Sequence, residues 1–431
     1  MTEKAGFSLP QSPTRMPINL AGVACFLAVL WLLHPCQDRG ALQVAGYLLL
    51  LSTCVPIFLL ETALLKTYRN PSTDLLFDRR FSICPHRVLL KLVGLCMTIL
   101  LFVGYYWLLP FYDTTGFLNY FLFLGDLLPW FFLFSLPYMV ILDNYMGDPE
   151  DGYYQAGLFF TGRFGRVDYP VLRNHLRGWL IKAFFLPLMY NGLTNNFNML
   201  LSMSGADYAA AFSGDFTRFF NLAELLLFTV DLLFVTCGYL LTIRFFDTHI
   251  RSAEPTVLGW FVALHCYQPF WGVASSTYLN YKSGPDWQEW LAGTGLYPVW
   301  GCAILVLLGI YVWATIPFGM RFSNLTHRGI ITNGPYRFCK HPAYVGKNLA
   351  WWLISMPFMV DASLGDAVLQ SLMLLGVNVI YLLRARTEER HLSFDPDYVA
   401  YAEAMEQRSV FRWLGRILPL FKFKPGRLFN V

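Results

Sequence analysis

Charged residues are scarce in this chain. Only 14% of its 431 residues are Asp, Glu, Lys or Arg, where a soluble domain carries about 25%. That scarcity excludes a water-soluble enzyme, a disordered scaffold and a nucleic-acid binder. The nine cysteines include no C-x-x-C pair and no cysteine–histidine set at zinc-ligand spacing. Neither a disulfide framework nor a metal site is therefore expected, and the cysteines read as small buried hydrophobes. No repeated halves and no G-x-G-x-x-G loop are visible. Apolar residues, by contrast, are abundant: 56% hydrophobic, 17% aromatic, with a mean hydropathy of +0.44. The expectation is an all-α, polytopic integral membrane protein.

A helix needs about 20 apolar residues to cross the hydrocarbon core. Runs of that kind lie near 17–34, 42–65, 88–110, 117–142, 179–203, 219–243, 257–275 and 295–318. A further stretch, about 349–383, is too long for one span, and Asp361 to Asp366 reads as a turn inside it. The count is thus about ten transmembrane helices. The first run is long for a signal peptide and lacks a small-x-small cleavage site, so it is taken as a span. With a cytoplasmic N-terminus the outer loops hold only Arg39, Arg218 and Lys282, three of the 32 lysines and arginines. The positive-inside rule then places both termini in the cytoplasm, in a bacterial inner membrane or the endoplasmic reticulum. Residues 143–178 are expected to cover part of the inner face. The tail from Ser409 to Phe423 is expected to form an amphipathic helix in the headgroup layer, with Val410, Phe411, Leu414, Ile417, Leu418 and Phe421 on one stripe.

Ionisable groups inside spans are costly and usually face a cavity or a partner. They include Glu61, Asp126, Glu224, Asp231 and His265. Asn191, Asn195 and Asn198 recur on one face of the fifth span, with Asn196 alongside. That stripe suits either a hydrated pocket for a polar head or hydrogen bonding between helices.

The chemistry is concentrated nearer the C-terminus. One block reads Gly334-Pro-Tyr336-Arg337-Phe-Cys-Lys340-His341-Pro342-Ala-Tyr344-Val-Gly346, a Gly/Pro-punctuated loop entering a helix. A second reads Arg384-Ala-Arg386-Thr-Glu388-Glu389-Arg390-His391-Leu392. A membrane hairpin between them returns the chain to the same side, so the blocks can meet. Cations suit a carboxylate or phosphate, tyrosine faces suit a cation or a base, and paired carboxylates suit an amine or ribose. A zwitterionic cofactor needs that mixture.

These two blocks, over roughly residues 320–408, resemble the isoprenylcysteine carboxyl methyltransferase and phospholipid methyltransferase superfamily. The usual form is R-H-P; Lys340 here keeps the charge but lacks the bidentate fork. The resemblance implies an S-adenosyl-L-methionine cofactor and methyl transfer to a lipid or lipid-linked acceptor at the cytoplasmic face. It implies that Tyr336, Lys340, His341, Pro342, Tyr344 and Gly346 line the cofactor, with Glu388 or Glu389 closing it. Arg386 then sits at the reacting end, with Glu389 as its catalytic companion, and Asn191 and Asn195 are the expected substrate contacts in the spans. The division is a membrane domain, 1–318, and a methyltransferase-like module, 319–431. The alternatives are an NADPH-dependent sterol or isoprenoid reductase, whose R-D-E-x-x-C signature is missing, and a non-enzymatic transporter or lipid-binding scaffold.

Overall fold

A computed structural model describes residues 9–34, 39–113, 115–282, 284–360, 363–417 and 422–426. The fold is almost wholly helical. Its elements are α1 (Met16–Leu33), α2 (Arg39–Leu60), α3 (Pro85–Leu108), α4 (Leu118–Tyr145), α5 (Gly152–Phe160), α6 (Tyr169–Ser202), α7 (Gly205–Ala211) and α8 (Phe216–Leu240). There follow α9 (Val257–Leu264), α10 (Phe270–Val273), α11 (Trp287–Leu291), α12 (Leu296–Thr315), α13 (Pro342–Ser355), α14 (Leu364–Leu392), α15 (Pro396–Arg408) and α16 (Arg412–Ile417). The two-residue strands β1 (Ser252–Ala253) and β2 (Thr326–His327) pair antiparallel.

Among the described residues, seven helices are long and apolar enough to cross a membrane: α1, α2, α3, α4, α8, α12 and α14. Three of the ten expected spans have a different form. α6 runs for 34 residues, but its five asparagines and its basic first half lower its hydropathy. The expected span at 257–275 is broken into α9, α10 and a π-turn at Ala274–Tyr278. The break falls at Pro269, which has no N–H for a helix to use. α13 has only 14 residues, about 21 Å of helix, and stops where Met356 turns left-handed ahead of Pro357. The hairpin turn expected at 361–366 falls partly on residues 361–362, outside the described set.

Large side chains from α1, α2, α6 and α8 fill the core, among them Phe26, Leu49, Ile57, Phe185, Phe197 and Phe234. At the far end of the bundle the start of α8 meets the start of α12, Phe216 against Tyr297. Trp300 there donates to the Leu353 carbonyl at the end of α13. The opposite end gathers the ends of α8, α12 and α14 with the start of α13, so the hairpin does bring its two termini together.

One buried side chain organises that end. Arg328, 3% exposed, donates to the carbonyls of Gly238 and Leu241 at the end of α8, and to those of Thr248, Met320 and Phe322. It satisfies helix-terminal acceptors that would otherwise be buried without partners. Burial, reinforced by the charge of Arg321, pushes its guanidinium down to about 9, still protonated at pH 7.

The segment 143–178 is partly helical. Its helix α5 packs on α3 through glycines: a Cβ on Gly94 would lie 1.9 Å from the Tyr153 carbonyl oxygen, and one on Gly157 2.0 Å from that of Leu90. Gly94→Ala is therefore expected to force the two backbones apart, costing at least the roughly 1–3 kcal/mol of an overpacked core. A melting curve in detergent checks this; an unchanged midpoint refutes the close crossing.

Of the amphipathic helix expected at 409–423, the described residues show Arg412–Ile417 as α16; Leu418 and Phe421 lie outside them. Beyond them Phe423 is buried against Tyr398 and beneath the ammonium of Lys340. This part of the tail therefore docks on the end of the bundle.

Candidate functional site

At the end organised by Arg328, a cavity opens between α9, α12, the 321–331 loop, α13, α14 and α15. It has room for water centres over about 150 Å³.

One helical face of α14 supplies much of the wall. Tyr381, Arg384, Glu388 and His391 recur at intervals of three and four residues and all line the cavity. Arg384 is buried, its guanidinium 5.5, 5.4 and 5.8 Å from the ring centres of Tyr267, Tyr344 and Tyr381. It donates to Asn324, which is held in turn by the Tyr239 and Tyr267 hydroxyls. Glu388 accepts a 2.8 Å hydrogen bond from the Tyr344 hydroxyl. On α13 Lys347 lies among the rings of Tyr311, Trp351 and Tyr381, at 5.2–5.8 Å. Behind Tyr311 is Asp231, which accepts from that phenol at 2.6 Å and from Thr315 at 2.5 Å. A buried intramembrane carboxylate thus positions a residue of the wall.

The neighbouring face of α14 points elsewhere. Glu389 is 5% exposed and does not line the cavity. It receives Lys340 at 2.8 Å, His341 at 3.2 Å and Arg386 at 2.7 Å. Lys340 also reaches Glu406 of α15 at 2.9 Å, and the His341 ring stacks on Tyr344. Glu389 is the anchor that holds the loop against the hairpin.

Of the expected cofactor residues, Tyr336, Lys340, His341, Tyr344 and Glu388 line the cavity; Pro342, Gly346 and Glu389 do not. Pro342 opens α13, where its fixed φ suits the first helical position. Gly346 lets α13 approach α12, since a Cβ there would lie 2.7 Å from the Leu307 carbonyl oxygen. Arg386, expected at the reacting end, is also behind the wall, because it leaves α14 on the Glu389 side; Arg384 takes the cavity position. Asn191 and Asn195 are remote, on α6: Asn191 is half-buried, Asn195 exposed on the outside of the bundle, and neither lines the cavity.

The first 318 residues contribute too, so a boundary at 318 divides the cavity. Glu254, Gly259, Ala263, Tyr267, Tyr311, Ala314 and Thr315 all line it. The β1–β2 pairing carries Glu254 there, where it accepts from Arg390 at 2.8 Å. His391 hydrogen-bonds Ser252 at 2.9 Å. On α15, the Tyr401 hydroxyl donates to the Tyr336 carbonyl at 2.8 Å. The bond to His327 holds Asp395, the cap of α15, below the usual carboxylate range. Burial pushes the Tyr336, Tyr398 and Tyr401 phenols well above their ordinary value, so they are neutral donors at pH 7.

Among the described residues, two polar atoms on the wall have no partner. The Tyr398 hydroxyl, on a side chain that is 4% exposed, and the Thr326 hydroxyl are both buried and unbonded. Such groups carry a desolvation cost of about 1–3 kcal/mol each unless something else bonds to them. With two carboxylates, several cations and a surround of tyrosines, the donor set fits a zwitterion with a nucleoside.

The membrane-crossing helices and the cavity at one end of their bundle define a multi-pass membrane protein with a side-chain-lined site. Residues 302–394 match the model of the Isoprenylcysteine carboxyl methyltransferase (ICMT) family, the family that the two motif blocks resemble. The match starts within α12 and ends just past α14, so it spans the hairpin and the loop before it. It covers about a fifth of the chain and implies a membrane methyltransferase acting on a lipid-like substrate. No curated protein and no solved structure matches the chain.

Proposed function

We propose that the protein is an S-adenosylmethionine-dependent methyltransferase whose lipid or lipid-linked acceptor reaches the cavity from the bilayer, on the cytoplasmic side. The observation that carries this reading is the meeting of Tyr336, His341 and Tyr344 with Glu388 around one cavity, across a membrane hairpin. The distribution of lysine and arginine supports the cytoplasmic placement.

When bound, S-adenosylmethionine supplies an electrophilic methyl group on a sulfonium. Glu388, held by Tyr344, offers a carboxylate for an amine or ribose hydroxyls. Tyr398 and Thr326 offer the unbonded hydroxyls. The faces of Tyr267, Tyr344 and Tyr381 line a region suited to a cation, while Arg384 beside them gives an acidic group a fixed donor fork. The chain's contribution is chiefly alignment in a poorly hydrated site. An amine acceptor also requires a proton acceptor; Glu388 and His391 face the cavity, whereas Glu389 is already engaged by Lys340, His341 and Arg386.

The test is a pair of titrations on protein in lipid nanodiscs. S-adenosylhomocysteine is expected to raise the melting midpoint, by the equivalent of about 2.7 kcal/mol at a hundredfold excess over its dissociation constant. NADPH is expected to leave it unchanged. A response to NADPH alone selects a reductase, and a response to neither removes the enzymatic reading.

A further inference from the structure

A second cavity also borders α9. One face of that helix, Gly259 and Ala263, borders the polar cavity, while Trp260 and Leu264 on the neighbouring face border this one. The remaining walls come from the end of α3 and the connection that follows it (Tyr105 and Phe111), from Leu180 and Phe184 of α6, and from Phe270. All these residues precede the family match at 302–394. The space for water centres is about 280 Å³.

Its chemistry is one-sided. The hydroxyls of Tyr105 and Tyr112 are 3.3 Å apart, and Tyr112 also donates to the Phe184 carbonyl at 3.4 Å. The Trp260 indole N–H is spent on the Glu254 carbonyl at 2.8 Å. Every polar side-chain group of the wall is therefore committed within the protein, and nothing is left to orient a polar head. The wall thus offers water no free hydrogen-bonding partner. Tyr105 belongs to α3, one of the helices long and apolar enough to cross a membrane, so this wall is built on a segment that hydrocarbon surrounds. The medium and the wall therefore select the same occupant.

We propose that this aromatic chamber is a binding site for one hydrocarbon chain of a membrane lipid. The inference is independent of the chemistry in the polar cavity, because it uses none of the residues assigned there.

The test uses the full-length protein in phosphatidylcholine nanodiscs containing palmitic acid with a mid-chain diazirine. Labelled positions are mapped by mass spectrometry after irradiation. Labels are expected on the peptides carrying Phe111, Leu180 and Leu264, besides those on the exposed surface of α4, where Phe134 is 62% exposed. Leu264→Trp fills the chamber and is expected to abolish the chamber labels while leaving the label at Phe134 intact. Leu180→Phe fills it from the opposite wall and serves if the first variant does not fold, as judged by its elution profile and melting midpoint. Absence of chamber labels in the parent protein, or chamber labels unchanged in a folded filling variant, overturns the proposal. S-adenosylhomocysteine binding plays no part in the readout, so loss of the methyltransferase reading leaves this result interpretable.

Discussion

Glu389→Ala is expected to destabilise the whole end of the bundle, whereas Glu388→Gln leaves the fold intact and removes cofactor binding. The two carboxylates are neighbours in sequence but stand on opposite sides of the wall. Glu389 balances Lys340, His341 and Arg386, whose side chains are 13%, 19% and 7% exposed. Removing it leaves the buried Arg386 without its ion-pair partner, a change that costs about 3–5 kcal/mol, while Lys340 keeps Glu406. The loop 334–341 then has little to hold it to α14. Glu389→Gln keeps an acceptor but not the charge, and is expected to fall between the parent and the alanine variant. Glu388 faces the cavity with one protein partner, Tyr344, so its loss costs little stability. The measurements are melting midpoints in nanodiscs and calorimetric titration with S-adenosylhomocysteine. Equal losses of stability in both variants would overturn the division of roles.

That division was legible in the sequence, although composition and motif did not reveal it. The family pattern marks Arg384, Arg386, Glu388 and Glu389 as one string and cannot say which of them face inward. Helical phase can: Tyr381, Arg384, Glu388 and His391 share one stripe, while Arg386 and Glu389, three apart, share the next. The same period on α13 groups Tyr344 with Lys347. Span positions followed from hydropathy wherever a helix was continuous. Pro269 signalled the break in the seventh expected span, but a proline within an apolar run is compatible with a kinked span as well as a broken one. α4 carries two internal prolines, Pro129 and Pro137, and remains one helix.

Other features were beyond a linear reading. Glu254 and Tyr267 reach the cavity because β1 pairs with β2, a two-residue contact with no periodic signal. Asp231 and Glu61 stood out as intramembrane acids, yet their partners, Tyr311 with Thr315 and Arg321, are set only by how the helices pack. The asparagine stripe of α6 had the spacing of a site and lies away from the cavity, because the face that α6 turns inward is its aromatic one, with Phe185 and Tyr190 buried.

Glu61→Ala, a substitution 260 residues from its partner in sequence, is expected to disturb the cavity nearly as much as a change within it. Glu61 ends α2 in a π-turn, and Arg321 closes the 3₁₀ extension of α12. Their side chains are both 0% exposed, with an N–O distance of 2.8 Å. Arg321 also donates to the carbonyls of Phe246 and Asp247, at 2.9 and 3.1 Å, and it lines the cavity. Loss of Glu61 strands a guanidinium in that wall, beside the already buried Arg328, and is expected to cost about 3–5 kcal/mol. Arg321→Met strands the carboxylate instead. The double variant buries neither charge, so it is expected to be more stable than the sum of the single losses predicts, with a coupling of about 1–3 kcal/mol. The carbonyls of Phe246 and Asp247 still lose their donor, which keeps the double variant below the parent. Melting midpoints of the three variants close the cycle. Simple additivity would mean that the pair does not act as a unit, and that α2 can be removed from any account of the cavity. Coupling would make the N-terminal helices part of the site's electrostatic frame, since α2 then supplies the counter-ion for a residue in the cavity wall.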